Sequence, residues 1–164
     1  MSLPTDPEEK SETLPQPVDD SAGKKRASYN RLVRQARLLS LILEKVDFKM
    51  AAESLGVSRS LLTRDITGKK KILSSGATDG TCIANMSWNI SIKYKRKILS
   101  GCTAIYLVAY DGMQDCAEDT IEMFLENVAK AATYPYFRAL YAHLDWAANP
   151  QSAPLPILKF QPNV

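Results

Sequence analysis

The chain has 164 residues, of which 45% are hydrophobic, so it has room for one domain with a core and a tail. Its net charge of only +3 at pH 7 does not demand a nucleic-acid partner. The absence of any apolar run of about 18 residues and the polar, acidic N-terminus exclude a membrane span and a secretory signal and predict a cytoplasmic protein. One histidine, three cysteines without C-x-x-C spacing and no ATP-binding motif lead us to expect neither an enzyme nor a metal or other cofactor.

Residues 1–27 are predicted to form a disordered N-terminal tail, which leaves residues 28–164 as the domain. The tail contains four prolines, an acidic stretch and then Lys24, Lys25 and Arg26, with few large apolar side chains. Such a segment cannot bury enough surface to offset the entropy that it would lose on ordering.

Residues 29–50, YNRLVRQARLLSLILEKVDFKM, fit either a helix or a strand. In a strand, the apolar residues alternate up to Leu43 and then alternate in the opposite register from Val46. One extra residue near Glu44 and Lys45, a β-bulge, would return both runs to a single inward face. The local pattern leaves both interpretations open.

Residues 51–66, AAESLGVSRSLLTRDI, resemble a helix-turn-helix motif. Small and apolar residues fall where such a motif places its turn and its core, and the second helix would enter the major groove of DNA. The residues that would contact DNA are Arg59, Ser60, Thr63 and Arg64. A transcriptional regulator that binds DNA through residues 48–66 is therefore an alternative function.

Residues 80–97 are predicted to contain a strand with one wet face. Apolar residues occupy every even position from Cys82 to Tyr94, and polar residues occupy the odd positions except Ile83. The segment LSGC then indicates a turn, and TAIYLVAY (103–110) a second, almost wholly apolar strand. The two strands would form a β-hairpin.

From Ala117 onward the apolar period becomes that of a helix. The stripe of a first helix is formed by Ile121, Phe124, Leu125 and Val128. A second helix is predicted within ATYPYFRALYAHLDWA (132–147), with Pro135 in its first turn. NPQSAP ends this helix, and LPILKF (155–160) follows as an extended apolar segment.

Residues 119–160 resemble the end of chaperones of the SecB family. The family's pattern is an amphipathic helix, an aromatic-Pro-aromatic-x-Arg start to a second helical stretch, and a Pro-rich loop that ends in alternating apolar residues. The second part is matched by Tyr134, Pro135, Tyr136 and Arg138, and the third by PLPILKF. The preceding VAYDG is also shared with the family.

The resemblance implies an α+β fold, a SecB-like four-stranded antiparallel sheet followed by a C-terminal helix or helices, assembled as a homotetramer that is a dimer of dimers. Residues 80–112 supply only two strands, so the other two must come from residues 34–75, with AAESLG in the crossover between them. A helix-turn-helix would consume both missing strands, so consistency along the chain favours the sheet. Within the motif, Tyr134 to Tyr136 are expected to position the helix and Arg138 to pair with a carboxylate.

The implied function is that of an ATP-independent holdase, which binds unfolded polypeptides through apolar side chains in broad grooves. The candidate client-binding residues, in the crossover, on the sheet and near the C-terminus, are Phe48, Met50, Leu55, Trp88, Trp146, Leu155, Leu158 and Phe160. For each of them, packing in the core or a subunit interface is the competing role, because apolar periodicity mostly reports burial.

Two departures from the family narrow the expected partner. SecB proteins of general export present carboxylates to the motor protein SecA, whereas GKKKI and KYKRK make this chain basic, so the resemblance does not extend to docking on SecA. The lysines of these segments are expected on solvated strand faces and turns. Only QPNV follows Phe160, so the family's last helix is also missing. Both departures point to the SecB-like chaperones of toxin-antitoxin systems, whose client is an aggregation-prone antitoxin.

Overall fold

The structure, a computed structural model, describes residues 21–76, 78–148 and 154–157. Its elements in chain order are α1 (Ser21–Gln35), β1 (Arg37–Met50), β2 (Leu62–Ser74), β3 (Cys82–Tyr94), β4 (Lys97–Asp111), α2 (Glu118–Phe124) and α3 (Lys130–Ala147). Five residues in a π-helical turn, Leu125–Ala129, join α2 to α3. The predicted order of four strands followed by helix is confirmed.

The four strands form one antiparallel sheet with the order β1-β4-β3-β2, so β1 and β2 are its edges. The missing pair of strands does come from residues 34–75. The bulge predicted in β1 is also present, because Leu43 lies opposite Tyr106 and Lys45 lies opposite the adjacent Ile105, which leaves Glu44 as the extra residue.

The helix-turn-helix interpretation of residues 51–66 is wrong. The segment forms two short 3-10 turns, Ala52–Gly56 and Arg59–Leu61, and then enters β2 at Leu62. β2 pairs with β3 along nearly its whole length. The backbone amides and carbonyls of β2 form hydrogen bonds with β3, so they are not available for the internal hydrogen bonds of a recognition helix.

The β3–β4 hairpin turns at Lys95 and Arg96, and the turn predicted at LSGC is wrong. Lys95 has a φ of 53°, in the left-handed region that tight hairpin turns require. The glycine of LSGC lies inside β4 instead, next to a register shift in the pairing with β3. The extra residue at this shift is Leu99, whereas Gly101 itself pairs regularly with Ser91.

The core lies on the face of the sheet that carries the even-numbered residues of β3 and the even-numbered residues of β4 from Ser100 on. α3 crosses this face. The Trp88 ring is stacked on the Phe137 ring with centroids 6.0 Å apart, and Tyr110 meets Phe124 edge to face at 5.0 Å. Such aromatic pairs contribute about 0.5–1.5 kcal/mol each beyond the area they bury.

The helix predicted to begin near Pro135 is instead continuous with α2, and Pro135 lies inside α3. Residues at every fourth position from Ile121 to Asp145 are buried. A straight α-helix would rotate these residues off one face by about 40° per step. The wider π turn at Leu125–Ala129 takes up part of that rotation and keeps the stripe on the sheet.

α1 begins at Ser21, within the stretch that the sequence assigns to the tail, so the helix runs across the predicted boundary at residue 28. The remainder of the predicted tail, residues 1–20, lies outside the described residues. Tyr29 and Leu32 of α1 are buried in the core cluster, which joins α1 to the domain.

A glycine fixes the end of α1 against the end of β4. Gln35 Nε2 donates a hydrogen bond of 2.6 Å to the carbonyl oxygen of Gly112. Gly112 has a φ of +87°, and a Cβ there would lie 2.7 Å from the carbonyl oxygen of Gln35. Both the backbone angle and the close approach therefore require glycine at this position.

Lys70 departs from the solvated position expected for the lysines of GKKKI. Its Nζ donates a hydrogen bond of 2.8 Å to the carbonyl oxygen of Glu122 and lies 3.6 Å from the carboxylate of the same residue. Glu126 lies 3.9 Å away on its other side. Lys70 therefore joins β2 to the helical layer, whereas Lys69 and Lys71 are exposed.

Candidate polypeptide-binding surface

Large exposed apolar side chains are concentrated on β1. We call this group the β1 strip, and its members, between 37% and 58% exposed, are Leu38, Leu39, Ile42, Leu43 and Val46. The strip occupies both faces of the strand, since Leu43 lies opposite the buried Tyr106 whereas Ile42 lies opposite the outward-facing Leu107. The helical layer covers β3 and β4 and leaves this stretch of β1 open.

Among the described residues β1 pairs with β4 alone, so its other edge adds unpaired backbone groups to the apolar side chains. An exposed, long and apolar edge strand is a template for pairing with another chain. The opposite edge of the sheet differs, since β2 presents the exposed cations Arg64, Lys69 and Lys71. Charged side chains of this kind discourage edge-to-edge association.

A second group of apolar side chains, most of them exposed, lies at the end of the sheet where the crossover meets the β3–β4 hairpin, with members on both faces of the sheet. We call it the crossover end, and its members are Met50, Leu61, Ile98 and Trp146. Met50 is half-buried, whereas Leu61 and Ile98 are 55% and 58% exposed. A hollow of about 470 Å³ is bounded by Met50, Ile98 and Gly101, among others, and it opens on the face of the sheet opposite the helical layer.

Trp146 belongs to the crossover end because of the direction of α3. The first turns of α3 lie over Trp88, where Trp88 Nε1 donates a hydrogen bond of 2.9 Å to Thr133 Oγ1. Two turns later Tyr141 contacts Phe48 on β1, with ring centroids 6.5 Å apart. α3 thus crosses from β3 to the part of β1 that leads into the crossover, and Trp146 in its last turn is 77% exposed.

Backbone and charged contacts hold the crossover in place. The amide of Ala51 donates a hydrogen bond of 2.7 Å to the carbonyl of Leu99 on β4. Glu53 accepts a hydrogen bond of 2.7 Å from Lys97. This bond to Lys97 lowers the pKa of the exposed Glu53 carboxyl below its ordinary value. The crossover is therefore tied to the hairpin rather than hanging free of the sheet.

The aromatic-Pro-aromatic-x-Arg motif holds the segment 154–157 against α3. Tyr134 Oη donates a hydrogen bond of 2.7 Å to the carbonyl of Pro156, and Arg138 Nε donates one of 2.9 Å to the carbonyl of Leu155. Arg138 thus binds a backbone carbonyl instead of the predicted carboxylate. From β2, Arg64 Nη1 donates a hydrogen bond of 3.0 Å to the carbonyl of Pro154.

The predicted client-binding residues fall into different environments. Trp88 is 3% exposed and Leu155 is also buried, so both belong to the core and leave the candidate surface. Phe48 is half-buried and packs against α3, next to Met50. Trp146 is exposed at the crossover end. The structure therefore brings three of these five together at one end of the sheet.

The other three predicted client-binding residues do not extend the candidate surface among the described residues. Leu55 lies in the first 3-10 turn of the crossover, and Leu158 and Phe160 lie outside the described residues. Sequence reasoning missed Leu61, Ile98 and the β1 strip. For the strip a signal existed, because a strand that is apolar at both odd and even positions is either central in a sheet or an edge that something else covers.

The residues of the DNA-binding alternative do not form a reading surface. Arg59 and Ser60 lie in a 3-10 turn, and Thr63 and Arg64 lie on β2. Arg64 is bound to Pro154, and the Thr63 hydroxyl donates a long hydrogen bond of 3.4 Å to the carbonyl of Lys93. No recognition helix presents them.

The described residues also bear on two other classes of site. None of their helices is long and apolar enough to cross a membrane. Within the same part of the chain, no group of three or more histidine, cysteine or acidic side chains is placed to hold a metal ion.

The chain matches no protein-family model and no curated protein. Among solved structures it is similar to the SecB-like chaperone of Mycobacterium tuberculosis in complex with a ChAD peptide from the HigA1 antitoxin, with a TM-score of 0.66 and 16% identity over 81% of this chain and 97% of that chain. A protein of unknown function from Streptococcus agalactiae aligns with a TM-score of 0.33 and 11% identity over 74% of this chain and 96% of that chain. The first likeness shows that this chain has a SecB-like fold.

Proposed function

We propose that this protein is an ATP-independent chaperone that holds unfolded or aggregation-prone polypeptides in the cytoplasm, and that its dedicated client is the antitoxin of a toxin-antitoxin system. The observation that carries the proposal is the crossover end, where large apolar side chains remain exposed beside a well-covered core. A SecB-like fold and a similar structure that holds an antitoxin peptide support the same conclusion.

The chemistry of the crossover end suits a client that has no fixed shape. Its members are an indole, a thioether and two aliphatic side chains, which contact apolar segments without selecting one geometry. Holding a client in this way requires no reaction and no nucleotide, because binding alone shifts the client away from aggregation.

The β1 strip is proposed to join two copies of the chain. Its apolar side chains lie on both faces of an open edge, which is how a strand inside a continuous sheet is built. Antiparallel pairing of two β1 edges would unite two four-stranded sheets, and two such dimers would form the homotetramer. The lysine-rich β2 edge makes the alternative pairing through β2 unfavourable.

The lysines on β2 also bear on the partner. A surface with exposed Lys69 and Lys71 offers cations where an export chaperone offers carboxylates to SecA. The role of this chain is therefore to hold an antitoxin rather than to deliver clients to SecA.

A binding experiment with a surface variant tests the proposal. The variant Leu61→Ser, Ile98→Ser and Trp146→Ser is expected to weaken binding of a candidate antitoxin from a neighbouring gene, and of a denatured model protein, by tenfold or more. Each lost apolar contact is worth roughly 1.5–3 kcal/mol if fully buried by the client. Fluorescence anisotropy of the labelled client and light scattering during its aggregation would measure the effect.

The matched control is Leu73→Ser, which removes a similarly exposed leucine from the opposite end of β2 and is expected to leave binding unchanged. Equal binding by the triple variant and the parent chain would contradict the proposed surface. Binding of the model protein without binding of the antitoxin would remove the specific client and leave the chaperone role.

A further inference from the structure

The segment 154–157 is held against the domain in the manner of a bound peptide. It belongs to no helix or strand. Its first three carbonyls each accept a hydrogen bond from a side chain, at 3.0, 2.9 and 2.7 Å in chain order. Side chains rather than a β-ladder therefore fix its backbone. We call the three donors the carbonyl slot, and they are Arg64 on β2 and Arg138 and Tyr134 on α3.

The two prolines of the segment suit a slot that is made of donors. A proline has no amide hydrogen, so the backbone at Pro154 and Pro156 offers carbonyl oxygens without needing an acceptor. Proline-rich segments favour the extended polyproline II conformation, which has no internal hydrogen bonds and turns by about 120° per residue. Successive carbonyls of such a segment point in different directions, and donors from two different elements can meet them.

The slot also sets the direction of the segment. Tyr134 and Arg138 are one turn apart on α3, about 6 Å along its axis. Tyr134 binds the carbonyl of Pro156, whereas Arg138 binds that of the preceding Leu155. The segment therefore runs antiparallel to α3.

One apolar side chain anchors the segment. Leu155 is 3% exposed, whereas its neighbours are exposed, Ile157 at 76%. A hollow of about 240 Å³ adjoins this anchor, and its lining residues are Pro135, Arg138, Ala139, Ala142, Pro154 and Leu155. Because small alanine side chains form part of the lining, the hollow has room for an anchor larger than leucine.

We propose that the carbonyl slot is a binding site for proline-rich peptides in which an apolar residue stands between two prolines. The segment 154–157 is its resident occupant, and such a stretch of another polypeptide displaces it. The resident defines the chemistry of the ligand, which combines carbonyls for three donors with one apolar anchor. The site adds a sequence preference that the crossover end lacks, and its natural ligand, though not its chemistry, rests on the proposed function.

The resident segment is suited to exchange. Its contacts include one buried side chain and three hydrogen bonds that are exposed or only partly buried. Segments with few buried contacts open most readily. Because the resident belongs to the same chain, its effective concentration at the slot is on the order of millimolar. An outside peptide is therefore expected to bind weakly to the parent chain and more tightly once the resident anchor is removed.

The test measures binding of a fluorescein-labelled peptide, APLPIL, which repeats residues 153–158, to the full chain by fluorescence anisotropy. Leu155→Ser weakens the resident and is expected to bind the peptide at least tenfold more tightly than the parent does. Adding Arg64→Met and Arg138→Met to this variant is expected to weaken binding at least tenfold. Adding Lys69→Met instead removes an exposed cation from the same strand as Arg64 and should leave binding unchanged.

Two further peptides test the preference of the slot. AALAIL, which lacks the prolines, is expected to bind Leu155→Ser at least tenfold more weakly than APLPIL does. APFPIL is expected to bind at least threefold more tightly, because its phenylalanine extends into the hollow beside the anchor.

A second measurement needs no substitution in the resident segment. An excess of APLPIL at millimolar concentration is expected to accelerate amide exchange of a fragment spanning residues 149–160 of the parent chain at least threefold. Amide exchange of β3 should stay unchanged, because the peptide displaces the resident without opening the sheet.

Three outcomes would overturn the proposal. Equal binding of APLPIL and AALAIL would mean that the slot does not select prolines. Loss of APLPIL binding on adding Leu61→Ser, Ile98→Ser and Trp146→Ser would assign the peptide to the crossover end. Dimers that form in the parent chain and disappear in Leu155→Ser would make the same segment of a second copy the occupant. If clients fail to bind the crossover end while APLPIL still binds, the proposed function is removed and the slot remains.

Discussion

Trp88 and Gly68 lie opposite each other on β3 and β2, and the glycine accommodates the indole. A Cβ at Gly68 would lie 2.7 Å from Cζ3 of Trp88, closer than such contacts allow. On its other side the indole donates to Thr133 and stacks on Phe137. The alternation of β3 correctly placed Trp88 on the inward face, but no local pattern reveals that a helix more than forty residues later covers it.

This arrangement predicts that Gly68→Ala destabilises the protein by about 1–3 kcal/mol, because the indole or the edge strand must shift to admit the methyl group. Gly101→Ala is the matched control, since its Cβ would meet nothing closer than the carbonyl oxygen of Ile90 at 3.5 Å. Urea denaturation measures both. In a Trp88→Phe background the cost of Gly68→Ala should shrink, and an equal cost there would contradict the steric explanation.

Because of its buried thiols and phenols, the fold is expected to lose stability as the pH rises in the alkaline range. Burial raises the pKa of Cys82 and of Cys102 from 9.0 to about 11, and that of Tyr106 and of Tyr110 from 10.0 to about 12. These groups are neutral in the folded chain at a pH where the unfolded chain already loses their protons. The contribution of the two thiols to stability is therefore complete below about pH 9 and is lost as the pH rises toward 11, and that of the two phenols is lost between about pH 10 and pH 12.

We expect the urea midpoint to be nearly constant between pH 7 and pH 8.5 and to fall from about pH 9 upward. The variant Cys82→Ala with Cys102→Ala removes the two thiols that titrate first, so its decline should begin about one pH unit later. A midpoint that stayed level up to pH 10.5 in the parent chain would contradict this assignment.

At the scale of elements, β1 shows where sequence patterns reach their limit. Its residues fit a helix or a strand equally well, and the pairing with β4 decides between them. The bulge at Glu44 was nevertheless predictable, because only an extra residue reconciles two apolar runs of opposite register. The exposure of the β1 strip was not predictable in the same way, since it depends on how far the helical layer extends across the sheet.

The segment 154–157 is held by side chains from two elements, and this predicts a specific loosening. Arg138→Met together with Arg64→Met removes two hydrogen bonds to its carbonyls and keeps most of the aliphatic bulk. Amide exchange of a peptide spanning residues 149–160 is expected to accelerate tenfold or more, while that of α2 stays unchanged. Lys69→Met serves as the control, and unchanged exchange in the double variant would mean that the burial of Leu155 alone holds the segment.

For the whole molecule, the two edges of the sheet differ in how readily they can pair with another chain. The β1 edge is apolar on both faces, and the β2 edge is guarded by cations. If two copies pair through β1, then Ile42→Lys with Leu43→Lys should convert the assembly to smaller species. The reason is that two lysines would face their counterparts across the interface. Light scattering behind size-exclusion chromatography measures this, with Leu73→Lys as the control, and an unchanged mass for the double variant would exclude the β1 edge as the contact.

The residues predicted to bind a client differ in their surroundings in the structure. Met50 lies at the start of the crossover and Trp146 in the last turn of α3, and both remain at least partly exposed. From the sequence, the buried Trp88 and Leu155 could not be distinguished from these exposed residues, because apolar residues that pack in the core and apolar residues that bind a client follow the same pattern. Distinguishing the two uses requires knowing which element lies above each residue, and that is a property of the whole fold.

The strand order also determines when each strand can pair with its neighbour while the chain is being synthesised. β1 leaves the ribosome early, yet its only neighbour is β4, so residues 51–96 must be synthesised before pairing can begin. At about 5–20 residues per second, this delay is on the order of several seconds. During that interval the most apolar edge of the protein is bare on both sides. A nascent chain of this design is, for those seconds, itself the kind of polypeptide that a holdase protects.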